Sequence, residues 1–310
     1  TPWTSRLIAE CFQEAGIPDG VFNYVTGPGS TLGQALIESP EVDGITFTGS
    51  YDVGMKIFRD FAQGRYVRPT ILELGGKNPS IVTKNADLEA AAVGIVRSAF
   101  GLQGQKCSAN SRVLIEAPVY DQLVARLVEL TEKLAIGDPT DRTNYLGPVV
   151  NKSSYRDYQE FVADLKTAGK ILTGGKVMTD GAYARGYFCA PTIAEAPYDH
   201  RLWKQEMFVP ITTVGKFDNL EEAMKIANSV EYGLTAGFYG TEEEADWFFD
   251  NIEVGVSYAN RPMGSTTGAW PGFQPFGGWK ASGSSGKNAG GLYYLPLYMH
   301  EQIQNLVRKA

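Results

Sequence analysis

The stretch that decides the fold is "GITFTGSYDVG", residues 44–54. Its first part is short, apolar and β-branched, as a buried strand would be, and its glycine-serine turn opens directly into a helical pattern that runs from Tyr51 to about Ala62. Working outward, an apolar segment at Val21–Val25 reads as an earlier strand. "TGPGSTLGQALIES" (26–39) then reads as a glycine turn leading into a helix, and "TILEL" (70–74) as a third strand. The order is β-α-β-α-β. Such alternation implies parallel strands joined by helical crossovers, an α/β fold whose ligands bind beyond the carboxyl ends of the strands.

The segment before it, from Pro2, reads as a helix. Thr1 suits its cap, Trp3, Leu7, Ile8, Cys11 and Phe12 share one face, and Gly16 followed by Pro18 stops it. Cys11 is therefore expected in a core. After "LELGGKNPS" (72–80) the alternation resumes, with Gly75–Gly76 a plausible hinge. Helices are expected over Asp87–Phe100, Val119–Ala135, Tyr155–Ala168, Leu220–Asn228 and Glu242–Asn251. Strands are expected at "RVLIE" (112–116) and around 190–193, 211–214 and 236–239. Cys189, within "GYFCAPTI", is expected to pack. From Met263 the chain becomes dense in Gly, Ser and Thr with interleaved aromatics, a texture typical of functional loops. The tail "GGLYYLPLYMHE" (290–301) reads as an edge strand, which pairing with another subunit would cover.

Composition excludes several classes of function. The net charge of −7 over 310 residues, with no basic run, argues against a nucleic-acid partner. No apolar stretch reaches the ~20 residues that a membrane span needs. The N-terminus lacks a signal-peptide layout, so a cytoplasmic location is expected. Cysteines at 11, 107 and 189 form neither a disulfide framework nor a zinc site, and no metal is expected. With only His200 and His300 in the chain, a reactive cysteine would need a base other than histidine.

Several residues carry candidate chemistry. The turns at Gly29–Gly33 and Gly49–Ser50 can present backbone N–H groups to a phosphate, although Ser50 can equally be an ordinary helix cap. Glu73, flanked by leucines at a strand end, is either a general base with a raised pKa or an ion-pair partner of Lys77. Cys107, in "GQKCSANSR" (104–112), is either a nucleophile, its thiolate favoured by Lys106, or an inert thiol. Glu206 alone is equally ambiguous.

Taken together, "FTGS", "LELGGKNP", "GQKC", "EMFVP" and "QPFGG" stand in the order and spacing of the aldehyde dehydrogenase superfamily, which the chain resembles along nearly its whole length. The resemblance implies a partial Rossmann-type cofactor domain (1–74), an α/β catalytic domain with an aldehyde-anchor loop (75–283) and a return segment with a C-terminal oligomerisation strand (284–310). It implies that Cys107 attacks an aldehyde, that the hemithioacetal passes hydride to NAD, with NADP possible, and that Glu73 activates the water that hydrolyses the thioester. Gly29, Gly33, Gly49, Ser50, Val53 and Leu74 would lie near the cofactor, and Glu206 and Phe208 would hold its nicotinamide ribose. In "GAWPGFQPF" (268–276), Gly268, Ala269 and Phe276 resemble the anchor loop of the pyrroline-5-carboxylate dehydrogenase branch, as does Ser108. That branch implies L-glutamate γ-semialdehyde as substrate.

By the same resemblance, the chain corresponds to the C-terminal part of such an enzyme. The family's upstream oxyanion Asn and adenosine-ribose motif have no counterpart in the 310 residues. The expected partners are an aldehyde and either a second copy or the missing N-terminal part. The alternative is a catalytically incomplete homologue that serves as a binding or structural subunit.

Overall fold

The structure is a computed structural model that describes residues 2–261, 274–283 and 289–308. Its elements in chain order are α1 (Pro2–Glu14), α2 (Gln34–Glu38), β1 (Ile45–Thr48), α3 (Tyr51–Phe61), β2 (Thr70–Glu73), β3 (Asn78–Val82), α4 (Leu88–Phe100), β4 (Asn110–Glu116), α5 (Tyr120–Glu132), α6 (Lys152–Ala168), β5 (Lys170–Thr173), β6 (Val177–Met178), β7 (Phe188–Cys189), β8 (Thr192–Glu195), β9 (Ile211–Phe217), α7 (Leu220–Asn228), β10 (Tyr232–Gly233), β11 (Thr235–Tyr239), α8 (Glu242–Asn251), β12 (Val256–Ala259) and β13 (Trp279–Lys280). They fall into two compact units, one of residues 1–46 and 55–70, the other of residues 47–54 and 71–310.

In the first unit, the guanidinium of Arg68 donates to the carbonyls of Ser39, Val42 and Phe61 and lies over the Phe61 ring, tying α2 and α3 to one point. Two expectations fail here. Residues 21–25 are irregular, because no described strand lies beside them to supply a ladder, and Val21 and Val25 are exposed. The apolar stripe of α1 is present and meets the Phe22 ring at Phe12 (4.9 Å between centroids), but Trp3, Leu7, Ile8 and Phe12 remain exposed and Cys11 is exposed rather than in a core. Thr1 lies outside the described residues.

The second unit is built on a seven-stranded sheet in the order β12-β11-β3-β4-β9-β8-β5. Every neighbouring pair is parallel except β5 with β8. Parallel strands need both faces covered, and the side-chain alternation delivers this. Val82, Val113 and Ile115 point into one core with α4 and α5, whereas Ile81, Leu114 and Phe238 point into another with α7 and α8. Helix starts are written in the sequence: Asp87 accepts from the N–H groups of Glu89 and Ala90, and Thr241 with Glu244 forms a reciprocal capping box. Cys189 is buried in a third cluster, with Tyr158, Leu165 and Leu202.

The tail, expected to pair with another subunit, forms no ladder among the described residues of this single chain. Pro296 stands in a 3₁₀ turn at Leu295–Tyr298, and residues 301–308 lie in neither a helix nor a paired strand of this single chain. Pro296 has no N–H to give a ladder, and no described strand is adjacent to receive one. No helix among the described residues is long and apolar enough to cross a membrane.

Candidate active site

Within the second unit, the sequence-marked residues gather where strand ends meet. Gly49 and Glu73 stand at the carboxyl ends of β1 and β2, where the N–H of Gly49 donates to the carbonyl of Glu73 (3.1 Å). Cys107 and Glu206, by contrast, precede the amino ends of β4 and β9. The rule that ligands sit beyond carboxyl ends therefore covers the first group and not the second. Asn78 closes the junction: its Nδ2 donates to the carbonyls of Cys107 and Ala109 (2.8 Å each), and its Oδ1 accepts from the N–H of Thr235 (3.0 Å). The sequence reading passed over Asn78, although it lies inside the quoted "GGKN".

Glu73 is half-buried, and one of its carboxyl oxygens, Oε2, is buried without a hydrogen-bond partner. Burial pushes its pKa from 4.5 up to about 7, against the opposing pull of a hydrogen bond from the Ala289 backbone. The alternative of an ion pair with Lys77 fails. Lys77 is fully buried and donates to Ser111 Oγ (2.6 Å). Burial, and then the neighbouring Arg112 charge, hold its pKa well below the lysine range.

The carboxylate of Glu206 accepts at Oε1 from the N–H of Gly76 (3.0 Å). A Cβ on Gly75 would stand 2.3 Å from Glu206 Oε2, so only glycine leaves room for this approach. Gly75 and Gly76 are buried and lie within the second unit. Burial raises the Glu206 pKa, opposed by the Gly76 N–H and the Lys77 charge.

The thiol of Cys107 has its pKa pushed up by burial, and then by the negative charges of Glu206 and Glu73; a backbone hydrogen bond from Ser108 opposes this. Lys106 and the Cys107 thiolate attract each other, as expected: burial lowers the Lys106 pKa and the thiolate charge pulls it back up. The Lys106 ammonium is directed toward Gly101, where a Cβ would stand 3.2 Å from it. Burial, with the two carboxylates, outweighs that attraction at the sulfur.

The remaining marked residues are placed as follows. Ser50 Oγ accepts from the N–H of Val53 (3.4 Å), the geometry of a helix cap, and Val53 is exposed. The space above Gly49 is taken by the Phe47 ring, 2.3 Å from where a Cβ would be. Leu74 is buried, and its N–H donates to the carbonyl of Ser282 (3.0 Å). Ser108 is 3% exposed, whereas Phe208 is 44% exposed with a left-handed φ of 54°. The half-buried Phe276 donates its N–H to the carbonyl of Ala289 (2.7 Å), the residue whose own N–H bonds Glu73. Gly29 and Gly33 bound a helical turn in the first unit. Gly268 and Ala269 lie outside the described residues. His200 pairs with Asp164 (3.4 Å) and accepts from the N–H of Leu202, and His300 is exposed.

Comparison with known proteins places the chain beside aldehyde dehydrogenases. The chain is 41% identical over 305 residues to a 1-pyrroline-5-carboxylate dehydrogenase of Geobacillus sp. (strain WCH70), an alignment covering 96% of this chain and 58% of that protein. Among solved structures, the Thermus 1-pyrroline-5-carboxylate dehydrogenase with bound NAD superposes with a TM-score of 0.87 at 38% identity, over 94% of this chain and 56% of that one. An NAD-dependent aldehyde dehydrogenase from Sinorhizobium meliloti gives 0.89 at 35% identity, over 96% and 57%. The chain thus spans little more than half the length of the relatives it matches. The profile described as "Aldehyde dehydrogenase family" matches residues 1–303, and the chain belongs to that family.

Proposed function

We propose that the chain carries the thiol and base of an NAD(P)⁺-dependent aldehyde oxidation, with Cys107 as nucleophile, Glu73 as general base and L-glutamate γ-semialdehyde as substrate. The observation that supports it most is the Glu73 carboxyl, with one buried oxygen unpartnered, a pKa of about 7, and a charge felt at the Cys107 sulfur. A group poised near neutrality both accepts and returns a proton at working pH.

The raised thiol pKa means that Cys107 needs a base before it attacks; of the two carboxylates whose charges reach it, Glu206 is engaged by the Gly76 N–H and Glu73 has an unpartnered oxygen to offer. Sγ bonds the carbonyl carbon as Glu73 takes the thiol proton and passes it to solvent, the carbonyl oxygen takes the electron pair, and that pair re-forms the carbonyl as a thioester when the hydride leaves the carbon. Glu73 later takes a proton from the water that attacks the thioester, the C–S bond breaks, and the carboxylate product leaves with Cys107 restored. Bound nicotinamide supplies the acceptor for the hydride. The chain's residues fit such a cofactor: Glu206 has one oxygen held by Gly76 and the other at the cradle that a Cβ on Gly75 would fill, ready to accept from ribose hydroxyls. Phe208 would stand beside it, with Gly49, Ser50, Val53 and Leu74 at the ends of β1 and β2. Gly29 and Gly33 enter on the family resemblance alone.

For the substrate, Ser108 and Phe276, with Gly268 and Ala269, would recognise a carboxylate and its aliphatic arm. We extend the proposal to domains at 1–74, 75–283 and 284–310, to assembly through the tail, and to a cytoplasmic setting.

NAD(P)⁺ reduction with glutamate semialdehyde and with propanal tests the proposal. It should be measured on this chain and on a chain extended upstream with the corresponding Geobacillus segment. Activity that disappears in Cys107→Ala upholds the enzyme. Inactivity of both chains overturns it, and a preference for propanal removes the semialdehyde.

A further inference from the structure

Three consecutive residues ahead of Cys107 hold left-handed backbone: Leu102 (φ 54°, ψ 35°), Gln103 (φ 58°, ψ 32°) and Gly104 (φ 66°). Two non-glycine residues side by side in that region are rare, because Cβ crowds the following carbonyl. Such backbone persists only where the surroundings over-determine it. Burial does not hold Leu102, whose side chain is 64% exposed. Hydrogen bonds from two glutamines do. The N–H of Gln105 donates to the carbonyl of Leu102 (3.0 Å), and its side-chain Oε1 accepts from the N–H of Val150 (2.9 Å). The amide of Gln103, oriented so that both its atoms are satisfied, accepts from the N–H of Gly147 (2.8 Å) and donates to the carbonyl of Leu102 (3.2 Å).

The far side of the clamp is itself fixed. The N–H of Val149 donates to the carbonyl of Tyr187 (2.9 Å), and the carbonyl of Leu146 accepts from Gly137 (2.9 Å). On its inner side, the turn presses on the Glu206–Val209 loop. A Cβ on Gly104 would stand 2.5 Å from the Val209 carbonyl oxygen, beside the left-handed Phe208. The turn is thus held between two anchors, two residues ahead of the sulfur.

We infer that Gln105, assisted by Gln103, is a positioning residue that clamps this strained turn to the 147–150 segment and so sets the depth at which Cys107 sits. The inference rests on the reading of Cys107 as the nucleophile. Its physical consequence is specific. Held in place, Cys107 stays partly buried beside Glu73 and Glu206. Released, it moves toward water and behaves as an ordinary thiol, more reactive toward a small electrophile and less able to meet an aldehyde in register.

The test is alkylation of Cys107 by iodoacetamide, resolved from Cys11 and Cys189 by mass spectrometry between about pH 6 and 9, with the melting temperature measured alongside. Gln105→Ala and the near-isosteric Gln105→Met should label Cys107 about fivefold faster at neutral pH, the population ratio of one ordinary hydrogen bond, with the profile shifted to lower pH. Gln105→Glu keeps the oxygen that accepts from Val150 and, because it adds a negative charge near the sulfur, should label no faster than the parent. Equal rates and profiles for Ala, Met and parent overturn the clamp, as does a Glu variant as fast as Ala. Labelling needs no turnover, so the expected pattern in a chain that oxidises no aldehyde, even extended upstream, upholds the clamp and overturns the function.

Discussion

Replacing Glu73 with Gln should change how stability depends on pH. In the folded chain the carboxyl titrates at about 7 rather than 4.5. Between those values the native state binds more proton than the unfolded state, so stability falls as pH rises through this window and the loss is complete above about 7. The difference of about 2.5 units (7 − 4.5) sets a ceiling of about 3.4 kcal/mol at ~1.36 kcal/mol per unit. The side chain is only half-buried, so solvent screening reduces this by about half, to ~1.5 kcal/mol. Glutamine matches the shape and does not titrate. Urea unfolding of both proteins at about pH 5 and about pH 8, followed by tryptophan fluorescence, should show Glu73→Gln gaining ~1.5 kcal/mol over wild type at the higher pH only. An equal difference at both pH values would falsify the argument, since it would mean that Glu73 is solvated and titrates normally. In active protein the same group predicts thioester hydrolysis that rises with pH toward about 7 and is lost in the Gln variant.

Two further outcomes follow from the junction. Gly75→Ala places a methyl 2.3 Å from Glu206 Oε2, so the carboxylate must move or the loop must shift, at a cost of ~1–3 kcal/mol; NAD⁺ binding by calorimetry should weaken, and unchanged binding would detach Glu206 from the cofactor. Asn78→Ala removes three hydrogen bonds at a buried position and leaves buried backbone groups unpaired, so it should cost ~2–4 kcal/mol and speed Cys107 alkylation; a loss under ~1 kcal/mol would show that water replaces the amide.

Much of the second unit was legible from local pattern. The helices expected at Leu220–Asn228 and Glu242–Asn251 form with those bounds, because apolar spacing and a capping residue are both local signals. Asp87, expected at a helix start, is the cap of α4. The first unit was less legible, for a definite reason. The residues of 21–25 and the tail have the composition of strands, but a strand exists only through a partner that the pattern does not name. The stripe on α1 likewise announces an apolar face without saying what covers it, and the core position expected for Cys11 went with it.

The site divides in the same way. Sequence order and motif content brought out Cys107, Glu73, Glu206 and their glycines, because each motif is a short run whose residue types are specific. Their electrostatics could not be read there. Lys106 adjoins Cys107 in the chain and attracts its thiolate, yet burial, together with the charges of Glu206 and Glu73, 99 and 34 residues away (206 − 107; 107 − 73), outweighs it and raises the thiol. Sequence by itself determined the α/β class, the bounds of α7 and α8, and the family. Only the tertiary structure decided that β11 lies between β3 and β12, that Asn78 ties Cys107 to the start of β11, and that Lys77 serves Ser111 rather than Glu73. Helix propensity and capping act over about four residues along the chain, whereas strand order, desolvation and charge depend on distance through space, which folding alone sets.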